Sequence, residues 1–134
     1  MNSSVDLSMN SAVDRRLENR SVLVVEDNPI IALDLQIILE AAGATVVGPA
    51  YDLSKALNLI EANNVNAAVL DYLLQAGDTL PLARVLGERG IPFLFQTSDP
   101  ESVARKHAGA LILPKPYRPD QLTSAVYSLV RETS

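Results

Sequence analysis

The chain of 134 residues contains no cysteine and no tryptophan, and only 4% of its residues are aromatic. Without cysteine it has neither a disulfide framework nor a thiolate metal site, which fits a reducing compartment. No apolar run approaches the roughly 20 residues that a membrane-spanning helix needs. The N-terminus also lacks the basic start and the apolar stretch of a signal peptide. These absences predict a cytoplasmic protein without a membrane partner.

Positive charge is also scarce, since 11 Lys and Arg residues stand against 16 Asp and Glu residues and the net charge is −5. This balance argues against nucleic-acid binding through phosphate contacts. Hydrophobic residues make up 48% of the chain, enough to fill the core of one small domain. Residues 1–20 are polar, and we expect a disordered or partly helical extension there, with a short helix over Ala12–Glu18. The compact domain is expected over residues 21–131.

Aliphatic runs alternate with helical patterns five times along the compact domain. Continuous aliphatic runs are typical of strands that are buried on both faces. The predicted strands are Val22–Val25, Thr45–Val47 (closed by Gly48 and Pro49), Ala67–Leu70, Phe93–Gln96 and Leu111–Leu113. Five βα units predict a doubly wound α/β domain whose five-stranded parallel sheet has the order 2-1-3-4-5. Pro114 lacks a ladder donor, which predicts that the fifth strand lies at a sheet edge.

Short polar residues mark the predicted helix starts. The candidate N-caps are Asn28, Asp52, Asp78 or Thr79, and Asp99. Proline follows Asn28 and Asp99 directly, at the first helical position, where its missing N–H does no harm. The helix after Asp99 has few apolar residues and is expected to be short.

Polar residues also follow four of the five predicted strands directly. They are Glu26 with Asp27, then Asp71, Thr97 and, after Pro114, Lys115. Taken singly, Asp27 reads as a helix cap, Thr97 as a turn residue and Lys115 as a solvated loop lysine. In an open α/β sheet, however, the carboxyl ends of the strands converge on one crevice. Three carboxylates, a hydroxyl and an amine would meet there.

This set of groups suits a hard cation and phosphoryl chemistry. Clustered carboxylates repel one another, so without a cation at least one should have a raised pKa. Oxygen ligands without His or Cys favour Mg²⁺ or Mn²⁺ over zinc. The Asp71 carboxylate is a candidate nucleophile that forms an acyl phosphate. A metal and Lys115 would offset charge on the phosphoryl oxygens, and Thr97 would donate a hydrogen bond.

Four segments, taken together, resemble the receiver domain of two-component response regulators. They are Leu23–Pro29, Ala68–Asp71, Phe95–Ser98 and Leu113–Tyr117. The resemblance runs from about Ser21 to Val130 and implies a flavodoxin-like fold. It also implies a regulatory phospho-acceptor rather than an enzyme, which takes a phosphoryl group from a sensor histidine kinase and changes the binding of a downstream protein.

The resemblance implies roles for the acidic residues. Asp71 matches the phosphoryl-accepting aspartate. Asp27 matches the direct Mg²⁺ ligand, and Glu26 matches the acid that holds the ion, often through water. Leu73 matches the position whose backbone carbonyl binds the metal.

On the other two strands, Thr97 matches the switch hydroxyl and Lys115 the lysine that pairs with the phosphoryl group. The bond between Lys115 and Pro116 matches one that is typically cis in the family. One position departs from the pattern: Ile112 stands where receivers usually have a switch aromatic. The usual coupling of the hydroxyl to that aromatic ring is therefore not available in this chain.

An alphaproteobacterial subgroup of receivers also lacks the switch aromatic and has the motif Pro-Phe-x-Phe-x-Thr-Gly-Tyr. Residues Pro92–Thr97 fit this motif, whereas Ser98 and Asp99 replace its Gly-Tyr. Members of the subgroup often stand alone and are linked to kinases of stress or light pathways. This resemblance implies a receiver that works without an output domain.

Other functions fit the sequence less well or differ in output. A phosphate sink, a receiver fragment of a larger hybrid kinase and a docking domain that no longer accepts phosphate share the fold. A haloacid-dehalogenase-like phosphohydrolase needs a second acid two residues after the nucleophile, where this chain has Leu73. A nucleotide-binding domain is disfavoured, because no glycine-rich turn follows Val25.

Overall fold

The computed structural model describes residues 14–75 and 77–131, which form a parallel β-sheet with helices on both faces. The strands are β1 (Ser21–Val25), β2 (Thr45–Ala50), β3 (Ala67–Asp71), β4 (Phe93–Thr97) and β5 (Leu111–Pro114). Their spatial order is β2-β1-β3-β4-β5, with every neighbouring pair parallel. The predicted fold class and strand order are confirmed, and β5 lies at an edge as Pro114 predicted.

Within the described residues, five helices follow the strands. They are α1 (Pro29–Ala41), α2 (Leu53–Ala62), α3 (Leu80–Glu88), α4 (Pro100–Lys106) and α5 (Pro119–Arg131). A small antiparallel hairpin, Leu73–Leu74 with Gly77–Asp78, lies between β3 and α3. Across residues 14–75 and 77–131, no helix has both the length and the apolar content to cross a membrane.

The two faces of the sheet form separate core layers because side chains alternate along each strand. Val22 and Val24 of β1 pack in the layer that contains α1 and α5. Leu23 and Val25 pack in the opposite layer, with residues of α2, α3 and α4. The polar carboxyl ends of the strands therefore emerge from a sheet that is held from both sides.

Most of the predicted caps are confirmed. Asn28 Oδ1 accepts hydrogen bonds from the N–H groups of Ile30 (2.9 Å) and Ile31 (3.2 Å). Asp52 and Asp99 likewise accept from the third residue beyond them. At α3 the N-cap position is Thr79, but the side chain that accepts a helix N–H is that of Asp78.

The second strand runs further than expected. It continues through Gly48 and Pro49 to Ala50, with an irregular register between Leu23 and Val25 of β1. Pro49 is tolerated because β2 is an edge strand, where a missing ladder donor does little harm.

The segment before β1 packs onto the domain. Leu17 is fully buried in the layer with α1 and α5, and its N–H bonds the carbonyl of Ala42 at 3.0 Å. The Arg16 guanidinium lies 5.6 Å from the centroid of the Tyr127 ring on α5. Residues 16–19 form turns, so the short helix expected over Ala12–Glu18 is wrong for the described part; residues 1–13 lie outside it. Packing thus begins upstream of the expected start at residue 21.

Candidate functional site

The strand order brings the sequence-predicted polar residues to one edge of the sheet. Glu26 and Asp27 follow β1, Asp71 ends β3, Thr97 ends β4, and Lys115 follows β5. Because β1, β3, β4 and β5 are consecutive neighbours, their carboxyl ends lie side by side. The crevice expected from the sequence is therefore formed.

Three carboxylates form the centre of the site. Glu26, Asp27 and Asp71 each contribute one oxygen, and these oxygens all lie within 4.8 Å of one another. Glu26 and Asp71 are buried, so the cluster is only partly open to solvent. A set of oxygen donors at this spacing fits Mg²⁺, which is commonly held by one or two carboxylates and water.

The Lys115 ammonium is the cation next to this cluster. Its Nζ lies 3.3 Å from Asp71 Oδ1 and 3.8 Å from Glu26 Oε1. The lysine therefore has two acidic neighbours and is not a solvated loop residue.

Glu26 is held by two donors in a buried position. Its Oε2 accepts from the N–H of Asn28 at 3.1 Å, and its Oε1 accepts from Gln96 Nε2 at 3.0 Å. Burial raises the pKa of Glu26 to about 7; the Asn28 hydrogen bond opposes this shift, and the Asp71 carboxylate adds to it. The raised pKa agrees in direction with the expectation for clustered carboxylates, but burial contributes more to it than repulsion by Asp71.

Asp27 is not a helix cap, because the capping side chain of α1 is that of Asn28. Instead, Asp27 Oδ2 accepts from the backbone N–H of Gln75 at 2.6 Å. This bond ties the loop after β3 to the end of β1. Asp27 therefore links the hairpin to the carboxylate cluster.

A cavity of about 450 Å³ opens beside the cluster. Its lining includes Asp71, Leu73, Thr97, Asp99, Lys106 and Lys115. Asp71 lines this cavity and also belongs to the carboxylate cluster. The Leu73 side chain is exposed at the rim, and the metal role of its carbonyl stays a prediction.

Thr97 sits at the wall of the cavity with its hydroxyl fixed. The Oγ1 atom accepts from the N–H of Asp99 at 3.0 Å, and the Asp99 side chain caps α4. A hydroxyl that accepts one hydrogen bond still has its proton to donate. Thr97 thus connects the cavity wall directly to the start of α4.

Two residues of the site were not found by sequence reasoning. Gln96 is fully buried, and its Oε1 accepts from the hydroxyl of Tyr117 at 3.0 Å while its Nε2 donates to Glu26. The signal for Gln96 was a polar residue inside an apolar strand. Tyr117 follows the Lys115–Pro116 bond, which is cis as the resemblance implied.

Tyr72, the residue after Asp71, forms an aromatic pair with His107. The Tyr72 hydroxyl and His107 Nε2 are 3.0 Å apart, and the Tyr72 ring meets Phe95 edge-on at 5.2 Å. Ile112 packs against the same core layer as Phe95. The aliphatic residue at position 112 therefore supports the core without a polar tip.

Comparison with known families gives a match over most of the chain. The sequence profile of the family described as response regulator receiver domain matches residues 22–127. The phyllosphere-induced regulator PhyR of Methylorubrum extorquens is 26% identical over 110 residues, which cover 78% of this chain and 41% of that protein. Response regulator MprA of Mycobacterium sp. strain KMS is 36% identical over 119 residues, which cover 84% of this chain and 51% of that protein. The chain spans about half the length of these relatives.

Solved structures share the fold. PhyR from Brucella abortus superposes with a TM-score of 0.79 and 25% identity, covering 95% of this chain and 54% of that one. SdrG from Sphingomonas melonis superposes with a TM-score of 0.72 and 34% identity, covering 85% of this chain and 97% of that one. The sheet order and its flanking helices are therefore those of a known architecture.

Proposed function

Because the chain belongs to the response regulator receiver domain family, we propose that it accepts a phosphoryl group on Asp71 from a histidine kinase in a Mg²⁺-dependent reaction. One observation carries this proposal: Asp71 is shared between the carboxylate cluster and the open cavity, with the Lys115 ammonium 3.3 Å away. A nucleophile, a cation and an entry path meet at one carboxylate.

The chemistry follows from these positions. A carboxylate oxygen of Asp71 attacks phosphorus of the kinase phosphohistidine, the new P–O bond forms, and the P–N bond breaks as the imidazole leaves. The Lys115 ammonium pairs with a phosphoryl oxygen, and the Thr97 hydroxyl donates to another. The product is an acyl phosphate on Asp71.

Glu26, Asp27 and Asp71 are the side chains that would hold Mg²⁺, and we assign the fourth protein ligand to the backbone carbonyl of Leu73. When bound, the ion supplies positive charge against the repulsion between carboxylates and an incoming phosphoryl group. Without the ion, burial and the neighbouring Asp71 carboxylate raise the pKa of Glu26 to about 7.

The outcome of phosphorylation is a change in the binding of a downstream protein partner in the cytoplasm. Ile112 and the run Pro92–Thr97 support membership of the receiver subgroup without a switch aromatic. In this proposal the chain is a regulatory phospho-acceptor, and its catalysis is limited to its own modification.

The test compares Asp71→Asn with Asp78→Asn after incubation with acetyl phosphate and Mg²⁺. Both aspartates line the cavity, but Asp78 caps α3, and asparagine caps helices equally well. Intact mass spectrometry should show one added phosphoryl group on wild type and on Asp78→Asn, and none on Asp71→Asn.

Two results would contradict the proposal. One is phosphorylation of Asp71→Asn at the wild-type level. The other is steady release of phosphate from a small phosphate ester, which would indicate a phosphohydrolase instead.

A further inference from the structure

A buried chain of hydrogen bonds leads from the carboxylate cluster to the loop after β5. Gln96 Nε2 donates to Glu26 Oε1 at 3.0 Å, and Gln96 Oε1 accepts from the Tyr117 hydroxyl at 3.0 Å. The Gln96 side chain is fully buried on β4. Its amide therefore joins an acid of the site to a residue of the loop.

The burial of Gln96 destabilises the fold unless both the NH₂ group and the oxygen of its amide form hydrogen bonds. A buried amide that lacks hydrogen-bond partners destabilises a fold, because the solvation it loses on burial is not replaced. Gln96 meets this requirement with two side chains of the site region, not with backbone groups. The Glu26 carboxylate accepts only from the NH₂ end, so this contact fixes the orientation of the amide.

Tyr117 stands between the interior and the surface. It is half-buried and lines a second cavity of about 430 Å³ together with Ile31, Asp34, Lys115 and Pro116. The loop after β5 thus has two connections to the acids. Lys115 reaches Asp71 and Glu26 directly, and Tyr117 reaches Glu26 through Gln96.

We propose that Gln96 is a positioning residue that holds the Glu26 carboxylate and transmits its occupancy by a divalent cation to Tyr117. The route ends at the cavity between α1 and the loop after β5, and it does not pass through Ile112. This inference rests on the proposed function, since it takes the carboxylate cluster as the Mg²⁺ site.

The physical basis is the polarisation of one hydrogen bond by the next. When Glu26 shares its charge with a divalent cation, its Oε1 becomes a weaker acceptor for Gln96. Bonds in a chain strengthen and weaken together in a low-dielectric interior, so the bond from Tyr117 to Gln96 changes as well. The Tyr117 hydroxyl is the last group in this series of hydrogen bonds, so a change at Glu26 should be detectable there.

The experiment follows the tyrosine ring carbons by NMR in protein labelled with [¹³Cζ]tyrosine, while Mg²⁺ is added. The chain has 4 tyrosines, and Tyr→Phe variants assign the resonances. The Tyr117 signal should move and saturate with Mg²⁺ binding measured by calorimetry. The Tyr127 signal, from the ring beside Arg16, serves as the control and should stay in place.

Gln96→Met keeps the approximate volume of the side chain and removes both polar ends. In this variant Mg²⁺ should bind on the order of tenfold more weakly, and the Tyr117 signal should no longer respond at saturation. A second variant, Tyr117→Phe, removes only the hydroxyl that donates to Gln96 Oε1. There the side-chain amide signals of Gln96 should still respond to Mg²⁺, because its bond to Glu26 remains.

The outcomes separate the two proposals. Mg²⁺ binding with an unmoved Tyr117 signal, or an equal Tyr117 shift in Gln96→Met, overturns the role of Gln96 alone. Absence of Mg²⁺ binding by the wild-type chain overturns the proposed function and this inference with it.

Discussion

Lys115 Nζ lies 3.3 Å from Asp71 Oδ1, so the loop after β5 places its positive charge against the proposed phosphoryl acceptor. The same ammonium is 3.8 Å from Glu26. Lys115 thus neutralises the carboxylates that we assign to Mg²⁺. Two cations that share one set of carboxylates must weaken each other's binding.

Lys115→Met should therefore raise Mg²⁺ affinity while it lowers phosphoryl acceptance. Loss of the competing charge is expected to tighten Mg²⁺ binding on the order of fivefold to tenfold. Loss of a charge partner for the phosphoryl oxygens should slow phosphorylation by about a hundredfold. Calorimetry with Mg²⁺ and the rate of phosphorylation by acetyl phosphate measure the two effects.

The matched control for Lys115 is Lys106→Met. Lys106 lines the same cavity but belongs to α4 and not to the loop after β5. The Lys106→Met variant should bind Mg²⁺ with an affinity close to that of wild type. Equal Mg²⁺ affinities in the two variants would mean that Lys115 does not compete with the metal.

The raised pKa of Glu26 predicts that the metal-free protein loses stability as pH rises. Its pKa is about 7 in the folded chain, raised mainly by burial from the ordinary glutamate value of 4.5. Between these values the folded state holds a proton that the unfolded state has lost. The stabilisation from this bound proton is complete below the unfolded pKa and is lost as pH rises through about 7; it is on the order of 3 kcal/mol.

Urea unfolding in EDTA, from about pH 5 to about pH 8, measures this loss. Glu26→Gln should flatten the profile over that range. Glu88→Gln, at an exposed position of α3, should leave the slope unchanged. A wild-type profile that rises through pH 7 would refute the assignment of Glu26 as the group responsible.

The fold was predictable because its signals are local. Aliphatic runs gave the strands, and caps such as Asn28 and Asp52 gave the helix starts. The end of β2 was mispredicted, because whether Pro49 stops a strand depends on its place in the sheet. An edge position tolerates the missing donor, and a central one does not.

The site was predictable to the extent that it consists of strand ends. Gln96 and Tyr117 were not predicted, because the hydrogen bond between them depends on strand register and on the path of the loop after β5. Gln96 lies opposite Asp71 in the β3–β4 ladder and opposite Leu113 in the β4–β5 ladder. A single sequence does not specify these pairings in advance.

The burial of Leu17 was also not predictable from the sequence, because a single leucine in a polar segment forms no periodic pattern. Leu17→Ala should destabilise the fold by about 3 kcal/mol, because the side chain is fully buried among α1 and α5. Leu33→Ala, at an exposed position of α1, should change stability by less than about 0.5 kcal/mol. Denaturant midpoints measure both. Similar midpoints for the two variants would show that residues 14–20 are not part of the folded unit.

The last prediction concerns α4, which spans only Pro100–Lys106 and has Val103 as its buried residue. A helix this short has little stability of its own, so its cap matters more than in α1. Asp99→Ala removes the acceptor for the Ser102 N–H and should cost α4 about 1 kcal/mol. Amide hydrogen exchange in α4 should then be about fivefold faster, with α1 unchanged.

Asp99→Asn keeps a side-chain acceptor at the cap and should retain most of the protection of α4. Both variants keep the backbone N–H that bonds Thr97 Oγ1, so the comparison separates the effect of the cap from that of the Thr97 hydroxyl. Faster exchange in α4 for the alanine variant alone would establish that the Asp99 cap, which is bonded to Thr97, controls the stability of α4. Equal protection in both variants would instead show that Val103 and the contacts of β5 hold the helix without its cap.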